Sequence, residues 1–377
     1  MSVDRSPWDR WVDDATADIH ARGRWRAPRS FDASGPVGTL AEDDARRVVS
    51  FASNDYLGLT IHPAVVRAAH EALDRWGTGA GAARLVVGSR PVHDELEGAL
   101  ADWKRAEAAV LFSTGFAANL GVLGALTDTD VLVCSDELNH ASLIDGRRLA
   151  GAQLAVYRHA DAAHLDELLR ASTAARAVVV SETVFSMDGD LAPVDKLVAV
   201  CREHRALLVL DEAHAVLGPD VDAAGVDLLR VGTLSKALGA LGGFVTGPRR
   251  YTDLVVNRAR SYIFTTASTP ADAAAALAAL GVVRSPEGED LRARLRANVD
   301  LLRPDHPSPI LPYVCGTESA AVAAADALLA EGLLVTAIRP PTVPPGTARL
   351  RVALSAAHTP AQVRQLGGAL ARHFPSA

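Results

Sequence analysis

Along the chain, short runs of branched and aromatic apolar residues alternate with longer stretches whose apolar positions recur with a helical period. The runs at 108–112, 130–134, 177–181 and 206–210 have the length and content of buried strands. Helical periodicity marks 63–76 and 92–105. Strands separated by helices require crossover connections, so the pattern predicts an α/β fold built on a mainly parallel, buried sheet. The alternation breaks near 284–290. A Pro-rich stretch at 304–312 then leads into a strand at 310–314, a helix at about 319–331 and a strand at 333–338, the pattern of a smaller α+β domain. Residues 1–52 mix Trp, Arg and Asp without a sustained period and read as an arm with one helix. The expected organisation is an N-terminal arm over 1–52, a large domain over 53–283 and a small C-terminal domain over 284–377.

Sheets of this kind bind ligands beyond the carboxyl ends of their strands. That rule selects Ser113-Thr114-Gly115-Phe116 after the first run, Glu182 and Ser186 after the third, and Asp211 and His214 after the fourth. Small polar residues between a strand and a helix offer backbone N–H groups and a dipole to a phosphate, or serve as an ordinary N-cap; spacing leaves both open. Gly77-Thr78-Gly79-Ala80-Gly81 follows a helix and is succeeded by Ala82, so it fails as a dinucleotide fingerprint and reads as a turn. His140 fits either a satisfied core histidine or a ring stacked on a cofactor. Arg349 and Arg351 share one face of a strand and suit a carboxylate clamp or a surface ion pair.

Composition narrows the chemistry. Of 38 basic residues only three are lysine: Lys104, Lys196 and Lys236. Lys236 lies in Gly232-Thr233-Leu234-Ser235-Lys236-Ala237-Leu238-Gly239. An amine can lose its proton and form a Schiff base, which a guanidinium cannot do. Lys104 and Lys196, on predicted helices, are expected to accept arginine at little cost. Asp211-Glu212-Ala213-His214 would hold magnesium in a helicase, but the chain has no Gly-Lys dipeptide and hence no Walker A loop. Nor does it contain the HExxH of a zinc hydrolase. A strand-end aspartate and a lysine instead meet two needs of pyridoxal phosphate, a carboxylate for its pyridine nitrogen and an amine for its aldehyde. The net charge of −7 argues against a broad nucleic-acid surface. Cys134, Cys201 and Cys315 are scattered and odd in number, so neither a disulfide framework nor a bound metal is expected. The longest apolar run is shorter than a membrane span and residues 1–14 are too charged for a signal sequence, which together lead to the expectation of a cytoplasmic protein.

Taken in order, several segments resemble the α-oxoamine synthases, a pyridoxal-phosphate family of the fold-type I aminotransferase class. They are Ser53-Asn54-Asp55-Tyr56-Leu57-Gly58-Leu59, Gly115-Phe116-Ala117-Ala118-Asn119, His140-Ala141-Ser142, the nine residues from Glu182 to Asp190, Asp211-Glu212-Ala213-His214, Thr233-Leu234-Ser235-Lys236 and Arg349-Leu350-Arg351. The resemblance runs from about Ser53 to His358. It implies a homodimer with shared active sites, in which Lys236 holds the cofactor as a Schiff base, Asp211 pairs with its pyridine nitrogen, His214 contacts its ring hydroxyl and His140 stacks on the ring. Gly115 and Phe116 would lend backbone near the cofactor, Ser186 and Thr233 would hydrogen-bond to it, and Thr265 or Thr266 would reach the phosphate of the neighbouring subunit. Asn54 and Arg351 would face the amino-acid substrate, with Arg351 gripping its carboxylate. Thr342 and an N-terminal arginine, Arg24 or Arg26, would lie along the acyl-donor path.

Within the family, 336–344 is most similar to members that join L-alanine to a pimeloyl thioester of CoA or acyl carrier protein in biotin assembly. Other members take glycine or serine, and a non-catalytic interaction subunit would be expected to lack the lysine found here. One departure stands out: where the family continues the Asp-Glu-Ala-His segment with a glycine-bearing loop, Ala215-Val216-Leu217-Gly218-Pro219 follows here, and the stretch onward to Lys236 reads as several residues shorter.

Overall fold

A computed structural model describes residues 6–41 and 46–374. Asp4 and Arg5 of the expected arm, and residues 375–377 of the expected C-terminal domain, lie outside the described residues. From the N-terminus the strands are β1 (Phe31–Ala33), β2 (Val37–Leu40), β3 (Arg46–Ser50), β4 (Ala108–Phe112), β5 (Val131–Asp136), β6 (Gln153–Tyr157), β7 (Arg176–Glu182), β8 (Leu207–Asp211), β9 (Leu228–Thr233), β10 (Gly243–Gly247), β11 (Ile310–Gly316), β12 (Leu333–Leu334), β13 (Thr336–Ile338) and β14 (Ala348–Ala353).

The chain forms two compact units. The larger holds Asn54–Pro309 with Ser355–Ala357 and is built on a seven-stranded sheet of order β4-β10-β9-β8-β7-β5-β6. Strands β6, β5, β7, β8 and β9 run parallel, joined in part by the crossover helices Ala141–Ala150, Ala162–Ala171 and Val194–His204. β10 is antiparallel to both neighbours because only a short loop, the one carrying Lys236, separates it from β9. The central strands are covered on both faces, which explains their unbroken apolar runs. Successive residues feed opposite cores: Val178 and Val180 pack with Phe112, Val122 and Val209, whereas Val179 packs with Cys134, Leu197 and Leu210.

The expected domain boundary at 284 falls inside this unit. Helix Pro286–Leu302 buries Leu291, Leu295 and Val299, and Gly288 approaches the preceding helix so closely that a Cβ there would come within 2.4 Å of the Val283 carbonyl oxygen. The chain enters the second unit only at Ile310.

That second unit combines the described residues up to Ser53 with Ile310–Leu354 and those from His358 onward. The N-terminal stretch is therefore more than an arm with one helix. After helix Pro7–Ala21, which has no buried residue, it contributes β1–β3, and β3 pairs in parallel with β12. The strand expected over 333–338 divides at Val335, so that β12 joins β3 while β13 joins β14 in the three-stranded sheet β11-β14-β13. Among the described residues no helix is long and apolar enough to cross a membrane.

Candidate active site

Loops leaving the carboxyl ends of the larger unit's strands bring together a connected set of polar side chains. Asp211 ends β8 and is buried. Its Oδ2 accepts from Asn119 Nδ2 at 2.6 Å and its Oδ1 from the Ala213 N–H at 2.9 Å. Asn119 lies early in helix Gly115–Leu126, which Thr114 caps by accepting the Ala117 N–H at 3.0 Å. The same Asn119 amide donates to Ser142 Oγ at 2.9 Å, and Ser142 is hydrogen-bonded to His140 Nδ1 at 2.8 Å. Asn119 thus ties the carboxylate to the histidine. His140 keeps an exposed edge, yet partial desolvation pulls its pKa below the ordinary value; Asp211 opposes that shift and the Lys236 amine reinforces it.

A second chain of contacts starts at Lys236. Its Nζ lies 2.8 Å from His214 Nε2, His214 Nδ1 lies 2.6 Å from the Tyr56 hydroxyl, and that hydroxyl donates to Asn54 Oδ1 at 3.0 Å. With the Tyr56 proton directed to Asn54, Nδ1–H donates to the hydroxyl and Nε2 accepts from the lysine. Thr233 Oγ1 braces the lysine loop by donating to the Gly242 carbonyl at 3.0 Å and lying 2.8 Å from Ser235 Oγ. Gly115 fits against Thr233, and Gly243 leaves no room for a Cβ, which would come within 2.4 Å of the Thr114 carbonyl. This close packing seats the first turn of helix Gly115–Leu126, with the N–H groups of Gly115 and Phe116 at its start, beside the lysine loop. Phe116 is exposed and stands edge-on to His140, ring centroids 6.4 Å apart.

Several residues of the site had no role assigned from the sequence. Tyr56, Asn119 and Ser142 lie in the matching segments but act through contacts that spacing does not disclose. Glu182, at the end of β7, is fully buried; its Oε2 accepts from the Ser186 N–H at 3.1 Å, and its own N–H donates to Asn139 Oδ1 at 3.0 Å. Burial, then the nearby Asp211, pushes its pKa up from 4.5 to about 8. Lys104 also departs from expectation. Its Nζ sits 2.6 Å from Glu212 Oε2 and 4.0 Å from the centre of the Trp103 ring, while Arg230 holds the other Glu212 oxygen at 3.0 Å. Lys196 is exposed.

The remaining expected residues belong to other elements. Thr265 and Thr266 line a narrow pocket with Ser113, Ser261 and Arg84. Arg24, Arg26, Thr342 and Arg351 belong to the smaller unit. There Arg24 pairs with Glu318 at 2.8 Å, Arg26 donates to the carbonyls of Arg24 and Pro340, and Thr342 is exposed. Arg351 is buried in β14, opposite Pro312 and Thr336 in register. The shortened segment after His214 lines a cavity of about 580 Å³ through Ala215, Val216 and Gly218, with Trp103 and Phe244 among the opposite walls.

The donor set fits pyridoxal phosphate: a lysine amine, a carboxylate held by two donors, a histidine with an exposed edge and a helix start with backbone N–H groups. Comparison with known proteins agrees. Residues 46–370 match the family model described as aminotransferase class I and II. An 8-amino-7-oxononanoate synthase of Methylobacterium sp. (strain 4-46) is 49% identical over 88% of this chain and 89% of its own. Another, of Anaeromyxobacter dehalogenans, is 48% identical over 97% and 96%. A solved serine palmitoyltransferase from S. paucimobilis with PLP–myriocin bound superposes with a TM-score of 0.90 at 29% identity, covering 99% of both chains. The chain therefore belongs to the class I and II aminotransferase family, among its pyridoxal-phosphate-dependent α-oxoamine synthases.

Proposed function

We propose that this chain makes 8-amino-7-oxononanoate by decarboxylative condensation of L-alanine with a pimeloyl thioester of CoA or acyl carrier protein. The observation that carries this reading is the near one-half identity, over most of both chains, to relatives bearing that name. Bound pyridoxal phosphate supplies an electron sink that stabilises negative charge on an amino acid's α-carbon. The chain's own residues supply the rest. Lys236 would hold the cofactor's aldehyde through its amine and, when not so engaged, would be the base for the Cα proton. His214 Nε2, 2.8 Å away, accepts a hydrogen bond from the resulting ammonium, and Tyr56 and Asn54 keep the histidine in the accepting tautomer.

Asp211 keeps the pyridine nitrogen protonated, with Asn119 and the Ala213 N–H fixing its orientation. His214 would also contact the ring hydroxyl, His140 would stack on the ring, and Ser186 and Thr233 would hydrogen-bond to the cofactor. The backbone of Gly115 and Phe116 lies nearby. Asn54 and Arg351 hold the amino acid, and Thr342 with Arg24 or Arg26 borders the acyl donor. Thr265 or Thr266 would reach the phosphate of a cofactor held by the partner subunit in a homodimer.

Steady-state assays with L-alanine, glycine and L-serine, each with pimeloyl-CoA, test the assignment. L-Alanine should give the highest kcat/KM. A preference for glycine, or for the serine used by the structurally similar palmitoyltransferase, would overturn it.

A further inference from the structure

Two carboxyl groups stand side by side at the carboxyl edge of the large sheet. Glu182 at the end of β7 and Asp211 at the end of β8 are register partners in adjacent parallel strands. Asp211 receives one donor at each oxygen. Glu182 is served unevenly: Oε2 accepts from the Ser186 N–H, whereas Oε1 is buried with no hydrogen-bond partner among the described residues. Ionisation of Glu182 would put negative charge on a buried oxygen with no hydrogen-bond partner among the described residues, next to a second carboxyl group. A neutral acid keeps the useful half of the group, the oxygen that anchors Ser186, and removes the charge from the other half.

The charged and titratable surroundings point the same way. Asp211 faces Glu182 from β8, Lys236 from the loop after β9, and the backbone N–H groups of Ser186 and His140 from the loops after β7 and β5. Burial and the repulsion of Asp211 favour the neutral acid, while Lys236 and the two N–H groups oppose it without prevailing.

We propose that Glu182 is a neutral carboxylic acid at neutral pH: a positioning residue that anchors the Ser186 loop through Oε2 and adds no second charge beside Asp211. A cationic pyridine ring bound there would face Asp211 without a competing charge from Glu182. The inference concerns the cofactor site alone and holds whichever amino acid and acyl donor the enzyme takes.

Glu182→Gln tests it, because the amide keeps the neutral acid's shape and a carbonyl oxygen to accept from the Ser186 N–H, without its proton equilibrium. In the apoprotein, folded Glu182 keeps its proton up to about pH 8, whereas the unfolded chain releases it near 4.5, so the wild type loses stability across that window and the variant does not. The melting temperature of Glu182→Gln should therefore pull ahead of the wild type as pH rises from about 5 to 8. Its affinity for pyridoxal phosphate at about pH 6.5 should stay within about threefold, while Glu182→Ala, which frees the Ser186 loop, should lose more than about tenfold. A melting-temperature gap that is constant or shrinks with rising pH, or a loss of cofactor affinity in Glu182→Gln as large as in Glu182→Ala, would overturn the proposal. Should the amide variant fail to fold, infrared spectra of wild-type apoprotein labelled at glutamate decide: a protonated-carboxyl band at neutral pH supports the neutral acid, and carboxylate absorption alone refutes it.

Discussion

Lys236 and Lys104 show what a single residue's surroundings decide. Lys236 touches His214 and lies in a braced, partly open loop, so shortening it leaves the fold little changed. Lys236→Ala should abolish turnover and the visible absorbance of bound cofactor while shifting the melting temperature only slightly; appreciable turnover would refute its role. Lys104 is the opposite case. Glu212, which it pairs, is almost entirely buried, with a side chain only 4% exposed. Lys104→Ala should therefore cost about 1–3 kcal/mol in denaturant unfolding, because Arg230 alone is left to serve that carboxylate. Lys104→Arg should also destabilise, since a planar fork does not fit a site shaped to an ammonium stacked on Trp103. Lys236 was legible because its neighbours in sequence form a recognisable segment. Lys104 was not, because its partner lies 108 residues further along the chain.

At the scale of elements, strand content and crossovers were written in the apolar runs, and helix Pro63–Trp76 has the bounds its periodicity predicts. What sequence hid was pairing between distant segments, as at Val335, where one apolar stretch serves two sheets. Side-chain staples between loops were equally hidden. His159, just after β6, lies 3.0 Å from Asp136 at the end of β5 and 2.7 Å from Asp190 in the loop after β7, with Phe185 edge-on to its ring. Desolvation would lower its pKa, but the hydrogen bonds to Asp136 and Asp190 outweigh it and raise the imidazole to about 10. A group whose pKa rises on folding stabilises fully below its unfolded value, near 6.5, and loses that contribution as pH climbs towards 10. The melting temperature of His159→Gln should therefore fall furthest below wild type at pH 6 or lower, by roughly 4–8 °C per kcal/mol for a small domain and less for a chain of this size. The gap should narrow as pH approaches 10; a gap independent of pH would show that the staple carries no charge.

For the whole molecule, the larger unit exposes an apolar surface that it does not cover itself. Leu85, Val86 and Val87 are exposed on the turn Arg84–Gly88, Phe264 is exposed just after the short helix Arg260–Ile263, and the Ala267 N–H donates to the Ala82 carbonyl, tying the two segments together. Such a patch beside Thr265 and Thr266 suits the proposed homodimer. Light scattering should give twice the 39.5 kDa chain mass, and Val86→Asp with Phe264→Asp should lower dimer and turnover together. A fully active monomer would remove the shared-site reading.

The pairing of β3 with β12 bears on how the protein is made. Val49 must find Leu333, so the first strands leave the ribosome long before their partner exists. At about 5–20 residues per second the wait is on the order of tens of seconds. During it, Asn54–Pro309 can complete its own sheet while the earlier hairpin stays half-built with one open edge. The order of synthesis is thus the reverse of the order of completion: the segment translated first is among the last to be finished, and its unfinished edge is what a nascent-chain chaperone would have to shield.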